Sequence, residues 1–162
     1  MQIGVSTATL RTVRTPAELT DAFRKQGFKI TPQRQLLFRL LDGNATHPTA
    51  EALYNRACSE MPGISLRTVY QTLNDLAAMG ELRHVSVGCG PGRFDPNTDD
   101  HHHVVCDRCG TVRDVYVDGA NQLAIEGLDG FDAVTPSIVF HGECADCALS
   151  VPTNPNSPKE HQ

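Results

Sequence analysis

Four cysteines arranged as two Cys-x2-Cys pairs constrain this chain more than any other feature of its sequence. Cys106 and Cys109 form the first pair, Cys144 and Cys147 form the second, and 34 residues separate the pairs. Each pair can place two thiolates on one ion, and two pairs complete a tetrahedral four-sulfur site for structural Zn2+. The alternatives are a redox pair or two disulfides, but no βαβ pattern surrounds the cysteines and no secretory signal is recognised. The pattern therefore predicts structural zinc.

Charge is unevenly distributed along the 162 residues, although the net value is only −5. Residues 1–98 carry eleven Lys or Arg against eight Asp or Glu, a net +3, whereas residues 99–162 are at −8. This asymmetry is typical of a basic module joined to an acidic one, and chance fluctuation over short windows is the alternative. With 40% hydrophobic residues and no apolar run near the roughly 20 residues of a membrane span, we expect a folded cytoplasmic protein without a membrane partner.

Periodicity in the first part predicts four helices followed by a β-hairpin. Each helix starts at a hydroxyl N-cap, and the caps are Thr15, Thr31, Thr49 and Ser65. Apolar residues of the fourth helix follow 3.6-residue spacing until Gly80 ends it. Alternation from Leu82, a turn at 88–92 and a return at Arg93 then predict the hairpin. Helices followed by a hairpin are typical of a winged helix-turn-helix domain.

The fourth helix is the candidate recognition helix. Opposite its apolar stripe we expect polar side chains suited to base edges and phosphates: Arg67, Thr68, Gln71 and Thr72, with Tyr70 at the edge of the stripe. A polar helix face is also typical of plain solvated surface, and winged helices also bind proteins. Periodicity alone therefore leaves DNA binding and protein binding both open.

The second part has the spacing of a small sheet. Strands are expected at 103–106, 111–117 and 131–141, with a short helix at 122–127. Asp95, His101, His103 and Asp114 surround the first cysteine pair in sequence, and a strand would point His101 and His103 to one face. Imidazole and carboxylate ligands suit iron, manganese, zinc or nickel better than a four-thiolate site does. The alternative is a polar histidine run that coats the domain, and His102, on the other face, is expected to support the ligands or lie at the surface.

These features together resemble the ferric uptake regulator (Fur) family of bacterial metal-dependent repressors. The matching motifs are 27–34 (GFKITPQR), 47–50 (HPTA), 65–73 (SLRTVYQTL), 101–110 (HHHVVCDRCG) and the second cysteine pair. They occur in the order of the family over residues 16–150. The resemblance implies an α+β chain: a flexible arm at 1–14, a winged-helix DNA-binding domain at 15–95, a hinge at 96–100, a dimerisation and metal-binding domain at 101–150 and a disordered tail at 151–162.

The resemblance also implies partners and ligands. It implies a homodimer that binds palindromic double-stranded operator DNA, with one structural Zn2+ and one regulatory Fe2+ or Mn2+ per subunit. The regulatory ligands would be His47, Asp95, His101, His103 and Asp114. The expected DNA contacts are Lys29, Arg34, Arg67, Thr68, Tyr70 and Gln71. A metal that ties His47 to ligands beyond the hinge would hold the two recognition helices at the spacing of successive half-sites.

A few positions separate the branches of the family. Iron sensors commonly have Glu where this chain has Asp114, whereas peroxide sensors have Asp, and the histidines that would be oxidised correspond to His47 and His101. The cysteine of zinc sensors is Pro96 here, and the alternating histidine of nickel sensors is absent. We therefore expect a peroxide-responsive repressor. The alternative is an iron-responsive repressor that does not sense peroxide, and a zinc or nickel sensor is a weaker one.

An enzyme is the alternative from another class. Zinc deaminases combine Cys-x2-Cys with a His-x-Glu motif and keep a water position on the metal. His141-Gly142-Glu143 fits those letters but lies directly before the second pair, and four thiolates leave no place for water. We therefore predict that the chain is not an enzyme. Two further cysteines are interpreted as a buried helix residue, Cys58, and an exposed thiol at the hairpin tip, Cys89.

Overall fold

The computed structural model describes residues 14–87, 90–132 and 135–150. The chain divides into two compact units, residues 1–101 and 102–162. The division falls between His101 and His102, so the motif that contains both histidines is shared between the units. The expected flexible arm, apart from Arg14, and the expected disordered tail lie outside the described residues, as does Cys89.

Four helices and a two-stranded hairpin form the first unit. Its elements are α1 (Pro16–Lys25), α2 (Pro32–Leu41), α3 (Ala50–Glu60), α4 (Leu66–Ala78), β1 (Arg83–Val85) and β2 (Arg93–Asp95). All four predicted caps are present, because each hydroxyl accepts from the backbone amide three residues on. Gly80 follows α4 with φ 74°, a left-handed conformation that favours glycine and ends the helix.

The core of the first unit lies between the apolar faces of its helices. Phe23, Leu37, Leu53, Leu73 and Leu76 are each at most 1% exposed. Burial of each such side chain contributes about 1.5–3 kcal/mol. Cys58 is partly buried and packs against this core. The arrangement leaves one face of α4 open to solvent.

The hairpin has the predicted antiparallel pairing, with Arg83 opposite Asp95, His84 opposite Phe94 and Val85 opposite Arg93. It is the wing of a winged helix. The wing is tied to the start of α3, since the Phe94 amide donates to the Pro48 carbonyl at 2.9 Å.

A three-stranded sheet forms the centre of the second unit. β3 (His102–Cys106) pairs antiparallel with β4 (Val112–Val115) on one side and parallel with β5 (Val139–Gly142) on the other. A 3-10 turn at Ala120–Gln122 and the short helix α5 (Ala145–Leu149) complete the unit. Both units together make the α+β fold that the sequence predicts.

Two predictions for the second unit are wrong in part. In the described part of 131–141, the expected strand is limited to a segment that begins at Val139, and β5 is Val139–Gly142. The helix expected at 122–127 is replaced by the 3-10 turn followed by irregular backbone. Apolar side chains in this region face solvent rather than a core, and Phe131 is 72% exposed and Leu123 51%. The spacing of these apolar residues therefore does not show which side chains are buried within this chain. Within the described residues, no helix is long and apolar enough to cross a membrane.

Candidate metal centres and nucleic-acid interface

The two cysteine pairs come together in the second unit. Cys106 ends β3, Cys109 lies in the following turn, Cys144 is the N-cap of α5 and Cys147 lies within that helix. One sulfur atom from each lies within 4.8 Å of the others, and the Sγ atoms of Cys109 and Cys144 are 3.7 Å apart. Zn–S bonds of about 2.3 Å in a tetrahedron separate sulfurs by about 3.8 Å, whereas a disulfide needs about 2.05 Å. The four-sulfur cluster therefore fits one zinc ion.

Backbone amides prepare part of this cluster for a metal. The Cys144 amide donates to Cys106 Sγ at 3.3 Å, and with the Cys109 amide it lowers the pKa of Cys106 to about 6. Hydrogen bonding with Thr111 lowers the pKa of Cys109. The neighbouring thiols of Cys144 and Cys109 raise the pKa of Cys147, since several thiolates cannot share this small volume without a cation. Hydrogen bonds therefore favour the thiolate forms of Cys106 and Cys109 within the cluster.

Arg108 joins the two cysteine pairs from outside the cluster. It lies between Cys106 and Cys109 in sequence, and its guanidinium donates to the carbonyls of Cys147 and Ser150 at the end of α5, the latter at 2.9 Å. It also pairs with Glu143 at 3.0 Å. The planar guanidinium fixes the second pair relative to the first because it makes several bonds in one geometry. Sequence spacing gave no signal for this role.

A second set of buried metal-binding side chains lies at the base of the wing in the first unit. Asp95 ends β2, and its Oδ2 lies 2.8 Å from His101 Nε2, while its Oδ1 lies 3.5 Å from His47 Nε2. His47 and Asp95 are each 1% exposed and His101 is 7% exposed. The structure therefore brings together three of the predicted regulatory ligands within one unit.

The chemistry of His101 fits a bound cation. Its Nδ1 lies 2.8 Å from the carbonyl oxygen of Asp99, and its Nε2 faces the Asp95 carboxylate. Both of these oxygens only accept, and a neutral imidazole carries one N–H. If the N–H is on Nδ1, it donates to the Asp99 carbonyl, and a cation between Nε2 and the Asp95 carboxylate satisfies both of these acceptors. Metal-bound histidines commonly have this arrangement, in which the other ring nitrogen donates to a carbonyl. The nitrogen and oxygen donors suit Fe2+ or Mn2+.

His47 has an unusual backbone conformation. Its φ is 49°, in the left-handed region that residues other than glycine seldom occupy. The loop is held there by the wing, because Arg93 Nη1 donates to the His47 carbonyl at 3.1 Å. A strained, buried histidine that is held by an arginine is typical of a functional position. Arg93 carried no sequence signal beyond its place in the hairpin.

The remaining predicted regulatory ligands lie in the second unit. His103 in β3 is directly opposite Asp114 in β4. His103 is 5% exposed. The neighbouring His102 is also buried, at 7%, and its Nδ1 accepts from the Ile138 amide at 3.4 Å. His102 therefore supports the sheet and does not lie at the surface.

The open face of α4 borders a cleft of about 620 Å³. The cleft is lined by the loop between α1 and α2, the start of α2 and the exposed side of α4, including Lys29, Arg67, Thr68 and Gln71. Lys29, Arg67 and Gln71 are exposed, and Thr68 is partly buried. Tyr70 is 40% exposed, and its hydroxyl donates to Glu51 at 2.5 Å, which lowers the pKa of Glu51.

Two residues expected on this face are placed differently. Thr72 is fully buried and its hydroxyl donates to the Thr68 carbonyl at 2.8 Å, so the expectation that it faces solvent is wrong. The helical wheel places it at the margin of the apolar stripe. Arg34 is drawn inward as well: its Nη2 lies 2.6 Å from Asp75 Oδ2 and its side chain is 15% exposed. Asp75, which sequence reasoning missed, is the buried partner.

Comparisons with known proteins agree with these observations. The profile of the Ferric uptake regulator family matches residues 25–141. The peroxide-responsive repressor PerR of Staphylococcus epidermidis is 35% identical over 133 residues, which cover 80% of this chain and 88% of that protein. The solved structure of Fur from Helicobacter pylori has a TM-score of 0.70 at 18% identity, covering 86% of this chain and 98% of that one. The Campylobacter jejuni peroxide stress regulator has a TM-score of 0.58 at 27% identity, covering 83% and 99%.

Proposed function

We propose a function from the premise that this chain belongs to the ferric uptake regulator family. The protein is a repressor that binds palindromic operator DNA as a dimer when it is loaded with Fe2+ or Mn2+. It leaves the DNA when peroxide oxidises the iron site. The chain is a transcriptional regulator and not an enzyme. In line with this, the Glu143 carboxylate of the deaminase-like triplet is engaged by Arg108. Because a repressor must reach operator DNA, this function places the protein in the cytoplasm.

The observation that carries the proposal is that one candidate metal ligand, Asp95, lies on a strand of the wing. Asp95 ends β2, and the residues just before it bond to the His47 loop: Arg93 to the His47 carbonyl and Phe94 to the Pro48 carbonyl. A cation held by His47, Asp95 and His101 would therefore fix the wing against the start of α3. Metal binding and DNA binding act on the same small part of the first unit.

DNA contact is assigned to the cleft beside α4. A winged helix places this helix in the major groove. Lys29 and Arg67 supply positive charge for phosphates or base edges, and Thr68 and Gln71 supply hydrogen bonds. Tyr70 is kept among the proposed DNA contacts because its ring is exposed, although its hydroxyl donates to Glu51. Arg34 is reassigned from direct contact to support of α4, since its guanidinium is bound within the unit.

Two metals are assigned by donor type. The four-sulfur cluster would hold one Zn2+ per subunit, as a permanent part of the second unit. His47, Asp95 and His101 of the first unit, with His103 and Asp114 of the second, would hold one Fe2+ or Mn2+. If only the DNA-binding form holds this ion, the population of that form would depend on the metal.

The peroxide response is assigned to the histidines of this set. Bound Fe2+ would activate the peroxide, and the imidazole ring would supply the two electrons that the peroxide takes up. One oxygen atom of hydrogen peroxide then enters a ring C–H of His47 or His101, and water is the other product. The modified ring no longer has the shape and basicity of a ligand imidazole, so metal affinity and DNA affinity fall together. Asp114, a shorter carboxylate than Glu, is the residue that favours this branch.

The decisive test compares two metals on one protein. The operator is first selected from a random duplex library with Mn2+-loaded full-length protein, and binding is then followed by fluorescence anisotropy under anaerobic conditions. One equivalent of hydrogen peroxide should reduce the affinity of the Fe2+ form by roughly tenfold or more. Mass spectrometry should place one added oxygen on His47 or His101. The Mn2+ form should stay bound.

Controls separate the alternatives. A Cys89→Ser variant should respond to peroxide like the parent, which excludes a thiol switch at the hairpin. Retained affinity of the Fe2+ form, without an oxygen adduct, would assign the chain to iron-responsive repressors. Equal DNA binding with and without metal would contradict the metal dependence itself.

A further inference from the structure

We infer that Arg34 and Asp75 hold the side-chain amide of Gln71 in one orientation, and that Gln71 thereby selects an adenine in the major groove. The inference rests on the proposed DNA-binding function and deepens it, because it names one base and the residues that determine the choice. Gln71 would contact the base, whereas Arg34 and Asp75 would act as positioning residues.

Asp75 is the centre of this arrangement. It lies one turn after Gln71 on α4 and is only 9% exposed. Its Oδ1 accepts from Gln71 Nε2 at 2.8 Å, and its Oδ2 accepts from Arg34 Nη2 at 2.6 Å. Both carboxylate oxygens are therefore engaged. The Gln71 amide is bonded to a group that cannot turn away.

Arg34 is itself held firmly, and this is why Asp75 is fixed. Its Nη1 donates to the Lys29 carbonyl at 2.9 Å. The guanidinium carbon lies 5.1 Å from the ring centre of Phe23 and 5.4 Å from that of Phe28. Such cation–π contacts hold a planar guanidinium in place. The chain of contacts runs from the helical core through Arg34 and Asp75 to the exposed Gln71.

The carboxylate decides which way the amide faces. A carboxylate only accepts hydrogen bonds, so the NH2 group of Gln71 must face Asp75. One N–H is used there, and the second N–H and Oε1 remain for a partner in the cleft. Adenine presents the matching acceptor N7 and donor N6 in the major groove. Guanine presents two acceptors, N7 and O6, and an amide with one N–H committed cannot donate to both. The arrangement favours adenine over guanine.

The base contact is tested with the operator selected by the Mn2+-loaded full-length protein. One adenine per half-site should lose its preference when the selection is repeated with Gln71→Ala. Replacing that adenine by 7-deazaadenine removes the N7 acceptor, and the parent should then bind roughly 5- to 150-fold more weakly, the range for a bidentate base contact. Gln71→Ala should bind both duplexes equally.

The positioning role is tested with Asp75→Asn. An Asn side chain can donate as well as accept, so the Gln71 amide is free to adopt both orientations. The preference for adenine over guanine at that base should then be lost. Binding to non-specific duplex should not change. The matched control is Glu60→Gln, which removes the carboxylate of an exposed Arg39–Glu60 pair in the same unit and should leave base preference unchanged. A purely structural role would lower the melting temperature and leave discrimination intact.

A further variant decides the matter if Asp75→Asn does not fold. Gln71→Glu places an acceptor-only group beside Asp75, and preference should move from adenine toward cytosine, whose N4 donates. Unchanged adenine preference in Gln71→Ala or Gln71→Glu would overturn the inference while leaving the repressor function standing. Absence of specific DNA binding by the metal-loaded parent would overturn both.

Discussion

The two sets of metal-binding side chains differ in donor chemistry and in the parts of the chain that supply them. The cysteine cluster is built from sulfur alone and lies wholly in the second unit, where backbone amides and Arg108 hold its members. The histidine and aspartate set uses nitrogen and oxygen, and the first unit supplies His47, Asp95 and His101. A complete sulfur site within one unit suits a permanent ion. Nitrogen and oxygen donors suit Fe2+ or Mn2+, an ion whose binding can act as a signal.

The largest expected effect is loss of the cysteine cluster. Cys144→Ser should abolish stoichiometric zinc and unfold the second unit, since binding of structural zinc contributes on the order of 10 kcal/mol to folding. Zinc content by elemental analysis and near-ultraviolet circular dichroism measure this. Cys58→Ser is the matched control because Cys58 lies outside the cluster in α3. Full zinc retention in Cys144→Ser would contradict the assignment of a permanent zinc ion to the four-sulfur cluster.

Next in size is loss of the carboxylate between the two histidines. Asp95→Asn should weaken Mn2+ binding by about 100-fold, because it removes the charge that faces His47 and His101. Zinc content should stay at one per chain. Calorimetric titration with Mn2+ provides the measurement, with Asp99→Asn as the control. If zinc were lost together with Mn2+, the two sets would not be independent.

A smaller effect is expected from the clamp around the cysteine cluster. Arg108→Ala should leave zinc bound but speed its transfer to a chelator by roughly 10- to 100-fold, as for other groups that orient metal ligands. Arg113→Ala, an exposed arginine in β4, should exchange zinc like the parent. If Arg108→Ala transferred zinc to the chelator at the rate of the parent, Arg108 would not contribute to zinc retention.

The smallest expected effect on metal retention belongs to Asp114→Glu. Carboxylate is exchanged for carboxylate, so Mn2+ affinity should change by only about threefold. Oxidation of His47 or His101 by peroxide should slow in the Fe2+ form. Time-resolved mass spectrometry follows it, and Asp118→Glu is the control. Parent-like oxidation would show that Asp114 does not determine the peroxide response.

Much of the fold could be predicted from local sequence. The hydroxyl caps, the apolar stripes of the helices and the two strands of the wing could be predicted because each depends on residues a few positions apart. The second unit was harder to predict. Phe131 and Leu123 have the spacing of buried residues although they are exposed, and α5 has too few residues for a periodic signal. Arg34, Thr72 and His102 show the same limit for side chains, since a polar residue type does not tell whether a partner is buried beside it.

The sequence by itself determined the chemistry that this protein has available: which side chains can serve as metal donors, which spacing can place two thiolates on one ion, and which helix carries polar groups outward. These follow from residue type and short-range geometry. Only the tertiary structure decided which of those groups are committed to one another. Asp75 meets Arg34 across 41 positions of sequence, and Arg108 reaches the Ser150 carbonyl across 42. Such contacts depend on how separate elements pack, and local spacing contains no record of that packing.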